Sequence, residues 1–298
     1  MADRLDSMSI LVAAVDAGSL SAGARQLGLP LATVSRRIAD LESGLGTQLM
    51  HRSARGVKLT DPGAAYVAAC RRILEEVSEA ERIASGEFSV PRGVLTLSTP
   101  IVFGRLHVLP CAVGFLQEYP EVELRLEQTD RPISLSEEHV DAAIRIGHLP
   151  DSSLRARRVG AVRQVVCASP AYLEERRRPD KPDDLSAHDC IVFENLMSNE
   201  RWSFGEGTDK RAVPIRSRLT VNTAEAAIDA AVAGLGVTRV LSYQVADAVA
   251  SGQLEILLEK YEPSPWPVSI LFRDGLVPRK LRAFIDFAAP RLEKALAG

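Results

Sequence analysis

The chain has 298 residues, of which 46% are hydrophobic and 25% are charged, and its net charge at pH 7 is −3. This length and composition predict a soluble globular protein with more than one domain. Because the total charge is close to zero, overall charge does not draw the molecule to a polyanion, and a nucleic-acid site would have to be local.

No stretch of the sequence approaches the ~20 apolar residues that cross a bilayer, which excludes a membrane partner. The four cysteines lie far apart, form no Cys-x-x-Cys pair and follow no N-terminal signal sequence. We expect reduced, buried thiols, with oxidative sensing as the alternative, and a cytoplasmic location.

Two short helices joined by a tight turn are predicted near the N terminus. The first runs from about Ser21, which can cap it, to Leu27, after which Gly28 is suited to a left-handed stop. The second begins at about Pro30 and ends near residue 42. Its apolar residues recur at i, i+4 and i+7 and predict one buried stripe: Val34, Ile38 and Leu41.

The side of the second helix away from this stripe carries basic, hydroxyl and methyl-bearing side chains. Guanidinium groups can pair with phosphate or guanine, and methyl groups can pack on thymine. The basic segment 51–58 predicts a hairpin wing, in which Gly56 permits φ > 0. The alternative is an amphipathic helical hairpin with a solvated basic face. The predicted DNA contacts are Ser21, Leu31, Ala32, Thr33, Ser35, Arg36, Arg37, Arg52, Arg55 and Lys58.

A long helix is predicted from about Pro62 to Ser85, because the chain contains no further proline until Pro91. Its apolar residues alternate in steps of four and three, which is typical of a coiled-coil seam and favours a symmetric dimer. The alternative is that this helix packs on the chain's own C-terminal domain. The seam residues are Tyr66, Cys70, Ile73, Val77, Ala80 and Ala84.

From residue 94 onward, strand candidates alternate with helical segments, which indicates α/β architecture. The last strand and helix are predicted to return to the first of two lobes, so that the chain crosses between the lobes twice and forms a cleft. The predicted strands are 94–99, 122–126, 142–146, 164–168, 190–193, 219–221, 237–240 and 268–272, and the predicted helices are 106–119 and 278–287.

The ends of these strands are candidate positions for a ligand. In open α/β sheets, ligands collect at the carboxyl ends of strands, where helix N-termini offer unpaired N–H groups. This placement predicts a small organic anion, although each residue taken singly is also a natural cap, turn or core residue. The predicted ligand contacts are Ser98, Thr99, Pro100, Ile101, Thr129, Ile146, Gly147, His148, Phe193, Asn222 and Thr223.

Two sets of motifs in this sequence are shared with a known family. The N-terminal motifs are Gly18-Ser19-Leu20-Ser21, Leu27-Gly28, Val34-Ser35-Arg36-Arg37-Ile38, Leu41-Glu42, Leu45-Gly46, Leu49, Arg52, Leu59-Thr60 and Gly63. The C-terminal motifs, 142–147, 168–173 and 233–237, are looser. With these motifs the chain resembles the LysR-type transcriptional regulators over nearly its whole length. It departs from the family pattern at Pro30, Leu31 and Met50, so no base preference is carried over.

The resemblance implies a winged helix-turn-helix, a long linker helix and a two-lobed α/β effector-binding domain similar to periplasmic binding proteins. The implied partners are double-stranded promoter DNA, a small-molecule effector, further copies of the chain as a dimer or tetramer, and RNA polymerase. The expected divisions are 1–60 for the DNA-binding domain, 61–86 for the dimerisation helix, 87–93 for a hinge and 94–298 for the effector domain. Lobe I would comprise about 94–162 and 268–298, and lobe II about 163–267.

An enzyme is the competing class of protein. The sequence lacks a Gly-x-Ser-x-Gly elbow and a Gly-x-Gly-x-x-Gly fingerprint, and its five histidines are scattered without metal-ligand spacing. We therefore expect no catalytic residue, no metal and no cofactor. A ligand-binding sensor without DNA binding is the other alternative, but it would account only for residues 94–298.

Overall fold

The computed structural model describes residues 2–53, 56–84, 90–131, 140–149, 154–194, 201–275 and 277–297. The chain divides into two compact units, Met1–Ser89 and Val90–Gly298. Within the described ranges, no helix combines the length and the apolar character needed to cross a membrane.

The N-terminal unit is helical with one small hairpin. Its elements are α1 (Ala2–Asp16), α2 (Leu20–Leu27), α3 (Leu31–Leu45), β1 (Met50–Ser53), β2 (Gly56–Leu59) and α4 (Asp61–Ala84). The three predicted helices and the wing are confirmed, whereas α1 has no counterpart in the sequence-based prediction.

The N-cap predicted for α2 was wrong by two residues. Ser19 is the cap: its backbone is extended, and its hydroxyl accepts a hydrogen bond from the N–H of Ala22 at 3.1 Å. Ser21 lies inside the first turn and is exposed. The predicted stop is confirmed, because Gly28 adopts the left-handed conformation with φ of 65°.

The apolar stripe of α3 forms the centre of this unit's core. Val34 and Ile38 are fully buried and Leu41 is 7% exposed, as the spacing predicted. They pack with Leu11 of α1 and Leu49, which precedes the wing. Because this stripe faces inward, the opposite side of α3 is directed away from the core.

The C-terminal unit contains two five-stranded mixed sheets. Its strands are β3 (Gly93–Thr99), β4 (Val122–Gln128), β5 (Ala142–Ile146), β6 (Leu154–Val162), β7 (Gln164–Ala168), β8 (Asp189–Phe193), β9 (Arg201–Phe204), β10 (Arg211–Pro214), β11 (Arg216–Val221), β12 (Val237–Leu241), β13 (Glu255–Leu257) and β14 (Trp266–Arg273). Its helices are α5 (Ile101–Phe103), α6 (Leu109–Glu118), α7 (Pro170–Glu175), α8 (Ala224–Val232), α9 (Ala246–Ala250) and α10 (Arg279–Leu296).

Each sheet defines one lobe. The order β4-β3-β5-β14-β6 forms lobe I, and the order β11-β8-β12-β7-β13 forms lobe II, while β9 and β10 make a separate hairpin. The chain passes from lobe I to lobe II at Arg163 and returns before β14. The predicted two-lobed α/β class is therefore confirmed, including the return of the last strand to the first sheet.

The last helix, α10, is longer than the sequence suggested. A stop was expected near residue 287, but α10 continues through Pro290 to Leu296. Ala289 and Leu292, which are 0% and 1% exposed, pack in the core of lobe I. This apolar burial outweighs the hydrogen bond that a proline removes from a helix interior.

Candidate DNA-binding surface and effector cleft

The predicted contact face of α3 lies at the surface of the N-terminal unit. Leu31 is 49% exposed, and Ala32 and Arg36 are also exposed. The remaining predicted positions on this helix, Thr33, Ser35 and Arg37, are half-buried. One guanidinium group and several small side chains are thus presented together on the side opposite the core.

The wing is an antiparallel hairpin of two four-residue strands, in which Ser53 lies opposite Gly56. The φ of Gly56 is 117°, a conformation that L side chains rarely adopt, so the predicted need for glycine is confirmed. The N–H of Val57 donates to the Gly18 carbonyl at 3.1 Å, which fastens the wing to the turn before α2.

Only part of the wing's predicted cationic surface can be placed. Lys58 is exposed. Arg55 lies outside the described residues, and for Arg52 the structure describes only a backbone position in β1. The DNA-contact predictions for these two arginines therefore stay predictions.

Sequence reasoning missed the role of Glu42 at the end of α3. Its carboxylate accepts hydrogen bonds from the N–H groups of Leu49 and Met50, at 2.7 and 3.2 Å. These charge-assisted bonds fix the turn between α3 and β1 and therefore the distance from the helix to the wing. The available signal was a pair of acidic residues, Asp40 and Glu42, that follows the two arginines of this helix.

The seam of α4 is divided between two environments. Tyr66 packs against the core of its own unit, and Cys70 is fully buried. The prediction that these two residues belong to a dimer seam was therefore wrong, because both pack within one chain. Ile73 is 38% exposed, Val77 is half-buried and Ala80 is exposed. The C-terminal half of the helix thus presents apolar side chains outside this core.

In lobe I, three parallel strands end at the same edge of the sheet, because β3 pairs in parallel with both β4 and β5. Ser98 and Thr99 are fully buried there, and the Thr99 hydroxyl has no hydrogen-bond partner among the described residues. Pro100, Ile101, Thr129, Ile146 and Gly147 are half-buried, and His148 is exposed. The structure therefore gathers these predicted positions at one edge.

In lobe II, the predicted positions also follow parallel strands, since β8 pairs in parallel with β11 and β12. Phe193 is 2% exposed and packs in the apolar core of this lobe. Thr223 caps α8 by accepting from the N–H of Ala226 at 3.3 Å, and Asn222 beside it is exposed. In this structure Phe193 and Thr223 therefore serve packing and capping.

Two charged side chains that sequence reasoning missed lie at the lobe I edge. Asp130 accepts a hydrogen bond from the N–H of Ile101 at 3.1 Å, and burial raises the pKa of this carboxyl group. Arg145 reaches the hydroxyl of Ser98, with 3.4 Å between Nη2 and Oγ. Because these contacts join distant parts of the chain, no local sequence pattern indicated them.

Beside this edge, a ring cluster links the two lobes. The ring of His107 lies 4.8 Å from that of Phe103 and 5.5 Å from that of Tyr243, measured between centroids. Tyr243 packs against the cores of both lobes. Burial lowers the pKa of His107 and raises that of Tyr243. The junction therefore favours neutral rings.

The described residues were also compared with what a metal site or a reactive thiol requires. Among them, His, Cys, Asp and Glu side chains form no group of three that could hold a metal ion. All four cysteines are buried and unpaired in disulfides, and burial raises the pKa of Cys167 and Cys190 to about 12. Such thiols are poor nucleophiles at neutral pH.

Comparison with known proteins gives two family matches. Residues 5–64 match the bacterial regulatory helix-turn-helix protein, lysR family, and residues 89–293 match the LysR substrate binding domain. An HTH-type transcriptional regulator of Xanthomonas campestris pv. campestris is 35% identical over 98% of this chain and 86% of its own. The HTH-type transcriptional activator AaeR of Escherichia coli is 32% identical over 95% of this chain and 92% of its own.

The solved structure of CrgA, a LysR-type transcriptional regulator from Neisseria meningitidis, is similar along the whole chain. It is 30% identical, covers 98% of this chain and 99% of its own, and gives a TM-score of 0.61. A winged helix-turn-helix followed by a two-lobed α/β unit defines a ligand-responsive transcriptional regulator. The chain belongs to the LysR family: it is a DNA-binding transcriptional regulator whose activity a small-molecule effector modulates.

Proposed function

We propose that a dimer of this chain binds promoter DNA with α3 in the major groove and the wing against the backbone. The observation that carries this proposal is the position of Arg36, which lies exposed on the face of α3 opposite the buried Val34 and Ile38. The proposed contacts are Ser21, Leu31, Ala32, Thr33, Ser35, Arg36, Arg37, Arg52, Arg55 and Lys58.

The double substitution Arg36→Ala and Arg37→Ala tests the groove assignment. We expect operator affinity to fall by about 10- to 100-fold per lost base contact, while loss of a phosphate contact reduces the salt slope by roughly 0.9. Arg125→Ala is the matched control, since Arg125 is exposed on β4 in the other unit. Unchanged operator affinity in the double variant, measured by fluorescence anisotropy at several salt concentrations, would contradict the proposal.

The proposed effector is a small organic anion that binds between the lobes at the strand ends. Arg145 supports this charge, because its guanidinium lies beside Ser98, and the buried Thr99 hydroxyl has no partner within the described ranges. The proposed contacts are Ser98, Thr99, Pro100, Ile101, Thr129, Ile146, Gly147, His148, Phe193, Asn222 and Thr223.

Calorimetry with a panel of carboxylates and their neutral amides tests the charge of the effector. We expect a carboxylate to bind and its amide to bind at least tenfold more weakly, because a charge-assisted hydrogen bond is lost. Arg145→Gln should remove this preference, whereas Arg125→Gln should retain it. Equal binding of the amides, or preference for an amine that would pair with Asp130, would overturn the anion assignment.

The proposed dimer forms through α4, within a linker segment 61–86 that precedes a hinge at 87–93. Support comes from Ile73, a large apolar side chain that is 38% exposed on α4, with half-buried Val77 one turn further along the helix. We expect Ile73→Glu to shift sedimentation from dimer towards monomer, and Glu81→Gln, at another exposed position of α4, to leave it unchanged. A dimer of unchanged stability in the Ile73 variant would contradict this interface.

The proposed mechanism couples the two domains, 1–60 and 94–298. Effector binding would favour one arrangement of lobe I, about 94–162 and 268–298, against lobe II, about 163–267, and thereby alter the spacing of paired DNA-binding heads and the bend of the promoter. We further propose that dimers pair into tetramers, that the bound regulator contacts RNA polymerase, and that the protein is cytoplasmic. Every step is binding, so we assign no catalytic role. Footprinting with and without effector would reveal the change in bend.

A further inference from the structure

Three arginines surround one carboxylate at an edge of lobe II that the effector proposal does not use. Asp189 begins β8 and Arg216 begins the parallel neighbour β11, so both lie at the amino ends of strands. The nearest nitrogen of Arg218 is 3.1 Å from a carboxylate oxygen of Asp189, that of Arg176 is 3.8 Å away, and that of Arg216 is 3.9 Å away. We call these four residues the Asp189 cluster.

The Asp189 cluster has an excess of positive charge at the surface. Asp189 is the buried member, with a side chain 8% exposed, whereas the side chains of Arg176, Arg216 and Arg218 are 48%, 76% and 54% exposed. Three guanidinium charges against one carboxylate leave a formal charge of two. Each guanidinium carries five N–H donors, and one carboxylate cannot accept from all of them.

Neighbouring carboxylates are already engaged with other groups. Asp183 pairs with Arg211 at 3.1 Å, and Glu255 pairs with Arg178. Asp184 accepts from the backbone N–H groups of residues 180 and 181, at 3.0 and 3.1 Å. In the described part of the chain, none of these three carboxylates forms an ion pair with an arginine of the Asp189 cluster.

The base of the cluster is held in place from inside the lobe. The N–H of Asp189 donates to the hydroxyl of Tyr172 at 3.1 Å, and that hydroxyl lies 3.2 Å from Nδ1 of His188. Arg176 also lies over the ring of Tyr172, 5.9 Å from its centroid. Asp189 is thus fixed at the centre of the cluster, and the three arginine side chains extend from it towards solvent.

We propose that the Asp189 cluster is a second ligand site, separate from the effector cleft, which binds a divalent oxyanion of the phosphate type. The charge of the site matches a dianion, and guanidinium forks match the oxygens of phosphate in bidentate geometry. The three guanidinium groups lie around a single carboxylate, so they match a compact anion better than an extended acidic protein surface. Such an anion would be either free phosphate or the terminal phosphoryl group of a small metabolite.

Inorganic phosphate is the probe for this site in the full-length chain. Calorimetric titration at pH 8 and constant ionic strength should detect binding that chloride and nitrate do not reproduce. We expect Arg216→Ala to weaken phosphate binding at least tenfold, because one charge-assisted partner is lost. Arg177→Ala is the matched control: Arg177 is 91% exposed and pairs with Asp180 rather than with Asp189.

Phosphate could also bind the predicted DNA surface, so Arg36→Ala is included and should leave the phosphate affinity unchanged. Arg216 is suited to the test because it is the most exposed of the three arginines and has the longest contact with Asp189, so its removal should leave folding intact. A phosphomonoester that binds more tightly than free phosphate would identify a metabolite as the source. Equal phosphate affinity in the wild type and the Arg216 variant, or no binding to the wild type, would overturn the proposal.

Discussion

Gly63 lies where the first turn of α4 passes against the backbone that leads into the wing. A Cβ atom at this position would lie 1.8 Å from the carbonyl oxygen of Leu49, and real Cβ contacts are not shorter than 3.0 Å. That oxygen also accepts the N–H of Thr60 at 3.0 Å. Gly63→Ala must therefore move α4 away from the wing and break this hydrogen bond.

The cost of Gly63→Ala follows from these contacts. Loss of the hydrogen bond to Leu49 costs about 1 kcal/mol. Displacement of Leu49 and Met50, both 1% exposed, adds roughly 1–3 kcal/mol, as in other overpacked cores. We therefore expect the free energy of unfolding of the N-terminal unit to fall by about 2–4 kcal/mol.

The matched control is Gly44→Ala. Gly44 lies in α3 with nothing within 4 Å of the added Cβ, so the same substitution should stabilise the unit by about 0.5–1 kcal/mol. Urea unfolding followed by circular dichroism measures both changes, and tryptophan fluorescence provides an internal reference because Trp202 and Trp266 belong to the C-terminal unit. Equal stability of the two variants would refute the steric argument.

Three further sites, Glu42, His107 and the buried cysteines, also give measurable predictions. Glu42→Gln removes the charge that holds the turn into the wing and should cost about 1–3 kcal/mol in urea unfolding, whereas exposed Asp40→Asn should cost little. Burial lowers the pKa of His107 from 6.5, so its contribution to stability is present above pH 6.5 and is lost as the pH falls. His107→Phe should therefore flatten the decline in stability between pH 7 and 5, as urea unfolding at each pH would show. All four cysteines should resist iodoacetamide at pH 8 until urea unfolds the chain, as mass spectrometry would show.

The DNA-binding unit was largely predictable because its signals are local. The stripe of Val34, Ile38 and Leu41 specified the buried side of α3, and Gly28 specified the end of α2. The N-cap was misplaced because two serines, Ser19 and Ser21, precede the same apolar run, and only the backbone conformation decides between them. The role of the Glu42 carboxylate escaped detection because the backbone N–H groups that donate to it lie seven and eight residues later in the chain.

In the C-terminal unit, the missed strands are short or lie at sheet edges. β6 contains several arginines and ends the order of lobe I, β13 has three residues at the edge of lobe II, and β9 and β10 form a separate hairpin. Such strands lack the continuous apolar run that marks a buried strand.

For the effector cleft, the sequence predicted which residues follow the strands, but it did not predict the charged side chains beside them. Its charged groups, Asp130 and Arg145, meet residues 29 and 47 positions away along the chain. Side-chain contacts of this kind depend on the packing of whole elements, so a pattern within one segment carries no information about them.

Two contacts join the wing region to the helices of the N-terminal unit: the hydrogen bond from Val57 to Gly18, and the close approach of Gly63 in α4 to the backbone of Leu49. Because both contacts tie the wing region to its neighbouring elements, a rotation of α4 would carry the wing with it. An operator altered by a single inserted base pair would then have to be accommodated by twisting the DNA duplex rather than by displacing the wing from α4.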